Sequence, residues 1–402
     1  MLHPTNTLAR RRFLQAVAAT TAGLSLPIQL WSRELLREGD QKQLLVRTES
    51  PFNAEPEASA LVKDWITPVS HFYVRSHADT PELDSKDYQL SIEGLVGKPR
   101  TFSYAELRDL AGRQPEKNRA IDATLTCAGN RREEMSATKK ISGVQWSVGA
   151  IGNASWGGVP LRTLLEACEL KPEAKHVWFE GADPIEHKGG PKEPFGGSIP
   201  LADGIQARSG VPGAIVALEM NGRPLAAKHG FPARMVVPGF IGARSVKWLK
   251  RIIVSDKPST NHYLAHAYKL VQSDSVEEME SKDPIYEFAI NAALCAPATD
   301  KKIPAGKTRL AGYALPPGDG SAIKRVEVSL DGGKNWKAAK LEGKEAPFCW
   351  RLWSLEADLR SGKHPIVVRA IDSKERMQPE TTPWNAKGYM QNAWHRQTLE
   401  TA

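Results

Sequence analysis

From residue 61 onward, hydrophobic and polar positions recur with a period that changes along the chain. "YQLSIEGLV" (88–96) alternates as a strand does, and "KHVWFEGAD" (175–183) does the same before a turn. "SYAELRDLAG" (103–112) opens on a serine cap, spaces its leucines for a helix and stops at Gly112. "VPLRTLLEACEL" (159–170) predicts a second helix with Cys168 on its apolar face. "GAIVALEMNGRPL" (213–225) predicts a strand and an Asn-Gly hairpin. "MVVPGFIGARSVKWLKRIIVS" (235–255) reads as strand, glycine-rich turn and strand.

Beyond about residue 281 the helical spacing disappears. "EFAINAAL", "KTRLAGYAL", "IKRVEVSLDGGKNWKAAKL", "CWRLWSLEADL", "HPIVVRAID" and "AWHRQTLE" are short strands, with a hairpin turn at Asp331-Gly332-Gly333. About seven short strands over roughly a hundred residues predict an immunoglobulin-like β-sandwich. The fold class is therefore α+β: a mixed α/β domain over 61–280 and a sandwich over 281–402. No G-x-G-x-x-G opens a helix after a strand, which excludes a dinucleotide-binding unit. Residues 31–60 are polar and irregular and predict a linker or surface wrap.

The first thirty residues differ from the rest. "LARRRFLQAVAATTAGLSLPIQL" joins three arginines, Arg10 to Arg12, to a weakly apolar stretch without a carboxylate. This resembles a twin-arginine export signal and predicts a periplasmic protein that crosses the membrane already folded. No other stretch is long and apolar enough to span a membrane. The formal charge is +8, and +8 less those three arginines leaves a modest +5. Basic runs with interleaved aromatics are lacking, which argues against nucleic acid.

The cysteines Cys127, Cys168, Cys295 and Cys349 form no C-x-x-C or C-x-x-C-H. Zinc ribbons, iron–sulfur clusters and covalent haem are thereby disfavoured. Cys127 lies in "LTCAGNRR" (125–132), close before two guanidinium groups that favour the thiolate, the form that binds metal or attacks. An inert buried cysteine is the plain alternative.

Three further segments carry candidate chemistry. In "HFYVRSHADTP" (71–81) a strand would present Arg75 and His77 on one face. Between 228 and 251, His229, Arg234, Arg244, Lys247, Lys250 and Arg251 are interleaved with Gly and Pro, a cradle for a phosphorylated organic group or else a solvated basic hairpin. "NHYLAHAYK" (261–269) sets His262 and His266 four apart, a weak zinc spacing, and offers Tyr268 as a hydrogen-bonding group.

Together "FYVRSH", "CAGNRR", "GVQWSVGAIG", "FEGADP", "HGFPARMVVPG", "GARSVKWLKRI" and "NAWHR" stand in the order that resembles the sulfite oxidase family of molybdopterin enzymes, from about residue 60 to the end. The resemblance implies a molybdenum–molybdopterin centre with Cys127 as the protein's metal ligand. It places Arg75, Arg132, Trp146 and Tyr268 around the substrate. It assigns pterin and phosphate contacts to Tyr73, Val74, Arg75, Ser76, His77, Asp183, His229, Arg234, Ser245, Val246 and Lys247. The implied reaction oxidises sulfite to sulfate and passes electrons singly to an external acceptor, a c-type cytochrome. The resemblance also implies a homodimer formed through the sandwich and no haem in this chain. Another oxyanion or a sulfoxide as substrate, and a metal-free oxyanion-binding protein, are the competing readings. One departure stands out: where the family carries W-N-x-R-G, this chain reads "WNAKG", so Lys387 takes the place of an arginine and loses its bidentate geometry.

Overall fold

In the computed structural model, residues 43–186, 192–273 and 275–402 are described, apart from the Lys117 side chain. The arginine-rich segment and residues 31–42 lie outside them. The chain opens with a hairpin of β1 (Leu44–Thr48) and β2 (Asn53–Pro56). Within the described part of the expected linker, from residue 43 on, this hairpin stands instead. All four residues of β2 are buried, and Ala54 exchanges backbone hydrogen bonds with Val74 at 3.0 and 2.8 Å. Polar composition concealed this strand because Asn53 and Glu55 are buried as hydrogen-bonding groups rather than as apolar ones.

Two five-stranded sheets follow. One has the order β4 (Arg100–Ser103), β3 (Gln89–Gly94), β12 (Leu249–Ser255), β7 (His176–Ile185), β8 (Glu193–Pro200). Its β12–β3 pair is parallel and the others antiparallel. The second has the order β10 (Arg223–Pro224), β9 (Ile215–Met220), β6 (Ile151–Pro160), β5 (Ala120–Thr126), with β11 (Arg234–Val236) also on β9. Asn221 and Gly222 turn β9 into β10 with φ of 54° and 74°, the left-handed pair that a two-residue hairpin requires. The expected strand–turn–strand over 235–255 is divided: β11 joins one sheet and β12 the other, so the turn between them bridges two layers.

Helices are short. The helix Tyr104–Arg113 is closed at its start by a capping box between Ser103 and Glu106, worth about 0.5–2 kcal/mol. The helix Leu161–Glu166 buries Leu161, Leu164 and Leu165 beside Cys168.

The C-terminal region is a sandwich of two four-stranded antiparallel sheets. One runs β13 (Asn291–Ala296), β14 (Gly306–Leu315), β18 (Arg351–Leu359), β17 (Lys340–Glu342). The other runs β16 (Lys337–Ala338), β15 (Ile323–Ser329), β19 (Gly362–Asp372), β20 (His395–Thr401). Between the sheets lies an apolar cluster that includes Leu310, Val326, Trp353, Ile366 and Leu399. Packing does not stop at the sandwich boundary. Tyr313, Cys295 and Trp350 belong to the main core together with Leu90, Phe179 and Val216. Trp65 and Trp350 exchange indole N–H to carbonyl bonds at 3.1 and 3.0 Å. Burial of that shared face fixes the sandwich against the segment that joins β5 to β6. Among the described residues no helix is long and apolar enough to cross a membrane.

Candidate functional site

A cleft opens where the two five-stranded sheets and their connecting loops meet. The segment 72–77, the end of β5, Asp183, the turn 228–234, the turn 242–248 and Tyr268 supply its walls.

Cys127 stands at the floor. It follows the last residue of β5, and its N–H donates to Ala150 O at 2.9 Å. The loop then folds back on itself: Asn130 N–H donates to Cys127 O and Arg132 N–H to Gly129 O, both at 3.0 Å. Gly129 N–H points at Cys127 Sγ, 3.4 Å away, as a backbone donor to a thiolate would. Of the four cysteines only Cys127 lines the cleft, and all four are unbridged. Burial pushes the other three thiols up, Cys295 to about 12, which leaves them inert at neutral pH.

The two arginines behind the thiol have separate tasks. Arg131 is fully buried and points away from the cleft. Its guanidinium forms two 2.7 Å bonds to the Glu134 carboxylate and a third, at 2.8 Å, to Asn291 Oδ1 in β13. Arg132 is the one that packs against the Cys127 loop, at Gly129. A Cβ added to Gly129 would lie 2.4 Å from its Nη2, so that glycine is what lets the guanidinium pass close to the Cys127 loop. Arg132 donates from Nε to Lys387 O and from Nη1 to Val144 O, at 2.9 and 2.7 Å, and rests on the Tyr389 ring. Across the cleft, Arg75 Nη1 is held by Asn53 Oδ1 at 3.3 Å and also donates to Ser76 O.

The upper wall is cationic. Lys247 Nζ donates to Ser76 Oγ at 2.8 Å and to Lys228 O at 2.9 Å, and Lys228 also lines the cleft. Arg234 donates to His229 O and Ser245 O, both at 2.9 Å, beneath the Trp156 ring. Burial, helped by Arg234, holds the Lys247 ammonium well below its ordinary range, and burial lowers Arg234 to about 10. Burial and the neighbouring cations push His229 down to about 3, so this ring is neutral. Asp183 is the carboxylate in the wall. Its Oδ1 is buried without a hydrogen-bond partner, and burial raises it to about 7 despite Lys247.

Tyr268 Oη shares a 3.0 Å hydrogen bond with His77 Nε2. His77 stacks on Phe195 with centroids 4.6 Å apart, and Tyr268 stacks on Tyr389 at 5.1 Å. Tyr268 takes a φ of 49°, which turns its side chain back toward the cleft.

The expected residues are thus largely assembled. Tyr73, Arg75, Ser76, His77, Cys127, Asp183, His229, Arg234, Ser245, Lys247 and Tyr268 all line the cleft. Arg132 approaches it from behind Gly129. Trp146 is fully buried in the apolar cluster that contains Cys127, and its indole N–H has no partner. Val74 and Val246 contribute through the backbone, to Ala54 and to Met235 N–H respectively, with buried side chains. Lys387 meets Arg132 through its carbonyl and is not part of the cleft lining. Arg244 is fully buried and spends its donors on Ile285 O and Tyr263 O, while Arg251 pairs with Glu93 and Glu180 on the sheet surface. Among the described residues no three His, Cys, Asp or Glu side chains cluster as a metal site, so His262 and His266 make no zinc centre there. Sequence reasoning did not single out Asn53, Lys228, Phe195 or Tyr389, although Lys228 directly precedes the HGFPARMVVPG segment and Tyr389 directly follows WNAKG.

Comparison with known proteins follows the same division. Residues 77–263 match the oxidoreductase molybdopterin binding domain, and 282–402 the Mo-co oxidoreductase dimerisation domain. Sulfite oxidase of Gallus gallus is 39% identical over 88% of this chain and 77% of its own. Sulfite oxidase of Arabidopsis thaliana is 37% identical over 89% of this chain and 93% of its own. The chain belongs to the sulfite oxidase family. Among solved structures, the sulfane dehydrogenase SoxCD of Paracoccus pantotrophus superposes with a TM-score of 0.73 at 28% identity, covering 96% of this chain and 95% of that one.

Membership makes this chain a molybdenum-dependent oxidoreductase with molybdopterin as its cofactor, and the cleft fits such a group. A wall in which the basic groups of Lys228, Arg234 and Lys247 outnumber the one carboxylate, Asp183, suits a phosphate-bearing ligand. The orphaned acceptor of Asp183 calls for a ligand N–H donor. A single cysteine facing the cleft suits a soft metal whose other ligands come from the cofactor.

Proposed function

We propose that this chain is a sulfite dehydrogenase that oxidises sulfite to sulfate with water, releasing two electrons and two protons. The observation that carries the reading is the convergence of one cleft-lining thiol, Cys127, with Arg132 behind it and Arg75 opposite. Cys127 Sγ would ligate the molybdenum, and Lys247, Arg234, Ser245, Lys228 and Asp183 would hold the pterin and its phosphate. When bound, the centre supplies oxygen-atom transfer and stores the two electrons. Arg75 and Arg132 offer fork-shaped guanidinium donors to an oxyanion. Tyr268 adds a hydroxyl whose orientation the His77 ring fixes. Burial of the floor beneath these groups keeps the local dielectric low and strengthens each charge-assisted bond.

The electrons then leave one at a time to a separate acceptor, a c-type cytochrome, and the protein works as a homodimer in the periplasm after export by its arginine-rich segment. Support for the dimer is the matched dimerisation domain; support for export is the twin arginine pair before Phe13-Leu14. Molybdenum analysis paired with sulfite-dependent reduction of ferricyanide or cytochrome c tests the reading. It expects one molybdenum per chain and turnover with sulfite. Molybdenum without sulfite turnover would move the substrate to a different oxyanion.

A further inference from the structure

The loop Cys127–Arg132 is held from two sides, by its own domain through Val144, Ser147 and Ala150 and by the sandwich region. Ala128 O accepts from Met390 N–H at 2.7 Å, and Arg132 Nε donates to Lys387 O at 2.9 Å. Between them, Asn130 Nδ2 donates to Tyr313 Oη at 2.9 Å and Arg131 Nη1 to Asn291 Oδ1 at 2.8 Å. All four partners belong to the C-terminal sandwich region.

The two side-chain anchors are unlike ordinary interdomain contacts. Tyr313 Oη donates onward to Val148 O at 3.1 Å, while Asn130 Oδ1 accepts from Ala150 N–H at 3.0 Å. One buried hydroxyl thereby ties the thiol loop to the strand start that also binds Cys127 N–H. Arg131 holds a φ of 65°, a left-handed conformation that a non-glycine residue keeps only where its surroundings impose it. Its neighbours hold it: the Glu134 carboxylate accepts from Nε and Nη2 along one guanidinium edge, and Asn291 Oδ1 accepts from Nη1. Arg131 is also the residue whose backbone sets where Arg132 begins.

We propose that Tyr313 and Asn291 are positioning residues for the active site, so that the sandwich sets the placement of Cys127 relative to Arg132. The inference rests on the reading of Cys127 as metal ligand and Arg132 as anion-binding group. Removal of either anchor leaves a buried Asn130 or Arg131 donor unpaired, and the loop relaxes to satisfy it. Thiol and guanidinium then shift against each other while the sheets stay in place.

The test uses the molybdenum-loaded protein with Tyr313→Phe, Asn291→Leu and, as the conservative control, Asn291→Asp, which keeps the acceptor. For Tyr313→Phe and Asn291→Leu the expectation is full molybdenum content and a KM for sulfite raised about tenfold, with a smaller fall in kcat. Sulfate affinity, measured by calorimetry, should fall by the same factor, and Asn291→Asp should restore both. Crystal structures of the first two should show Arg131 out of the left-handed region. Unchanged KM, unchanged sulfate affinity and a left-handed Arg131 in folded, loaded Tyr313→Phe would overturn the proposal. Tyr313→Phe removes one oxygen and carries the test if Asn291→Leu does not fold. Wild-type protein without sulfite turnover would overturn the functional reading instead, and the Arg131 backbone in the variants would still decide the positioning role.

Discussion

Asn53 holds Arg75: its Oδ1 lies 3.3 Å from the guanidinium Nη1 and 2.9 Å from Ser76 N–H. One buried amide in the N-terminal hairpin thus sets both a cleft arginine and the backbone that follows it. Arg75→Gln removes the charge and the fork, and the expected result is a KM for sulfite raised at least about tenfold, measured by steady-state kinetics. Asn53→Ala should move KM in the same direction by less. It should also lower stability by about 1–3 kcal/mol, because Ser76 N–H loses its acceptor, as a denaturation midpoint would reveal. Equal kinetics in wild type and Arg75→Gln would remove Arg75 from the anion site.

Lys387 offers its carbonyl to Arg132, and its side chain is not part of the cleft lining. Lys387→Ala preserves that carbonyl. Its KM for sulfite should change by less than about threefold, well below the effect of Arg75→Gln. A change as large as that of Arg75→Gln would place the lysine side chain on the substrate.

Asp183 is raised to about 7 by burial, so in cofactor-free protein the folded state binds its proton more tightly than the unfolded chain does. The stabilisation is complete below the ordinary carboxylate value and is lost as pH rises through about 7. Melting temperature of the cofactor-free protein should therefore fall between pH 5 and 8 by roughly 2 °C or more relative to Asp183→Asn, which cannot titrate. Parallel curves for the two proteins would refute the buried-proton account. Cofactor binding should flatten the difference by supplying the donor that Oδ1 lacks.

Thiol chemistry separates the four cysteines. Cys168, Cys295 and Cys349 are buried with raised pKa values, whereas Cys127 faces the cleft. Brief alkylation of cofactor-free protein, read by peptide mass spectrometry, should label Cys127 at least about tenfold faster than the others. Loaded protein should protect it. Equal labelling of two or more cysteines would contradict the placement.

What the sequence revealed follows from how each feature is encoded. Strand alternation and the Asp331-Gly332-Gly333 turn are local, so the sandwich was legible, as were Cys127 and the turn around His229. The division of labour between Arg131 and Arg132 was not, because one step along the chain separates a fully buried arginine paired with Glu134 from one that packs behind the Cys127 loop. The basic run from 228 to 251 likewise splits into cradle, core and surface, since the two flanking strands enter different sheets. Asn53 and Tyr389 reach the site only through long-range packing, which leaves no periodic trace.

The most direct measurement compares wild type with Cys127→Ser for sulfite turnover, at matched folding judged by circular dichroism. The account predicts that the variant folds and loses sulfite oxidation. A folded Cys127→Ser protein with near wild-type turnover would contradict it.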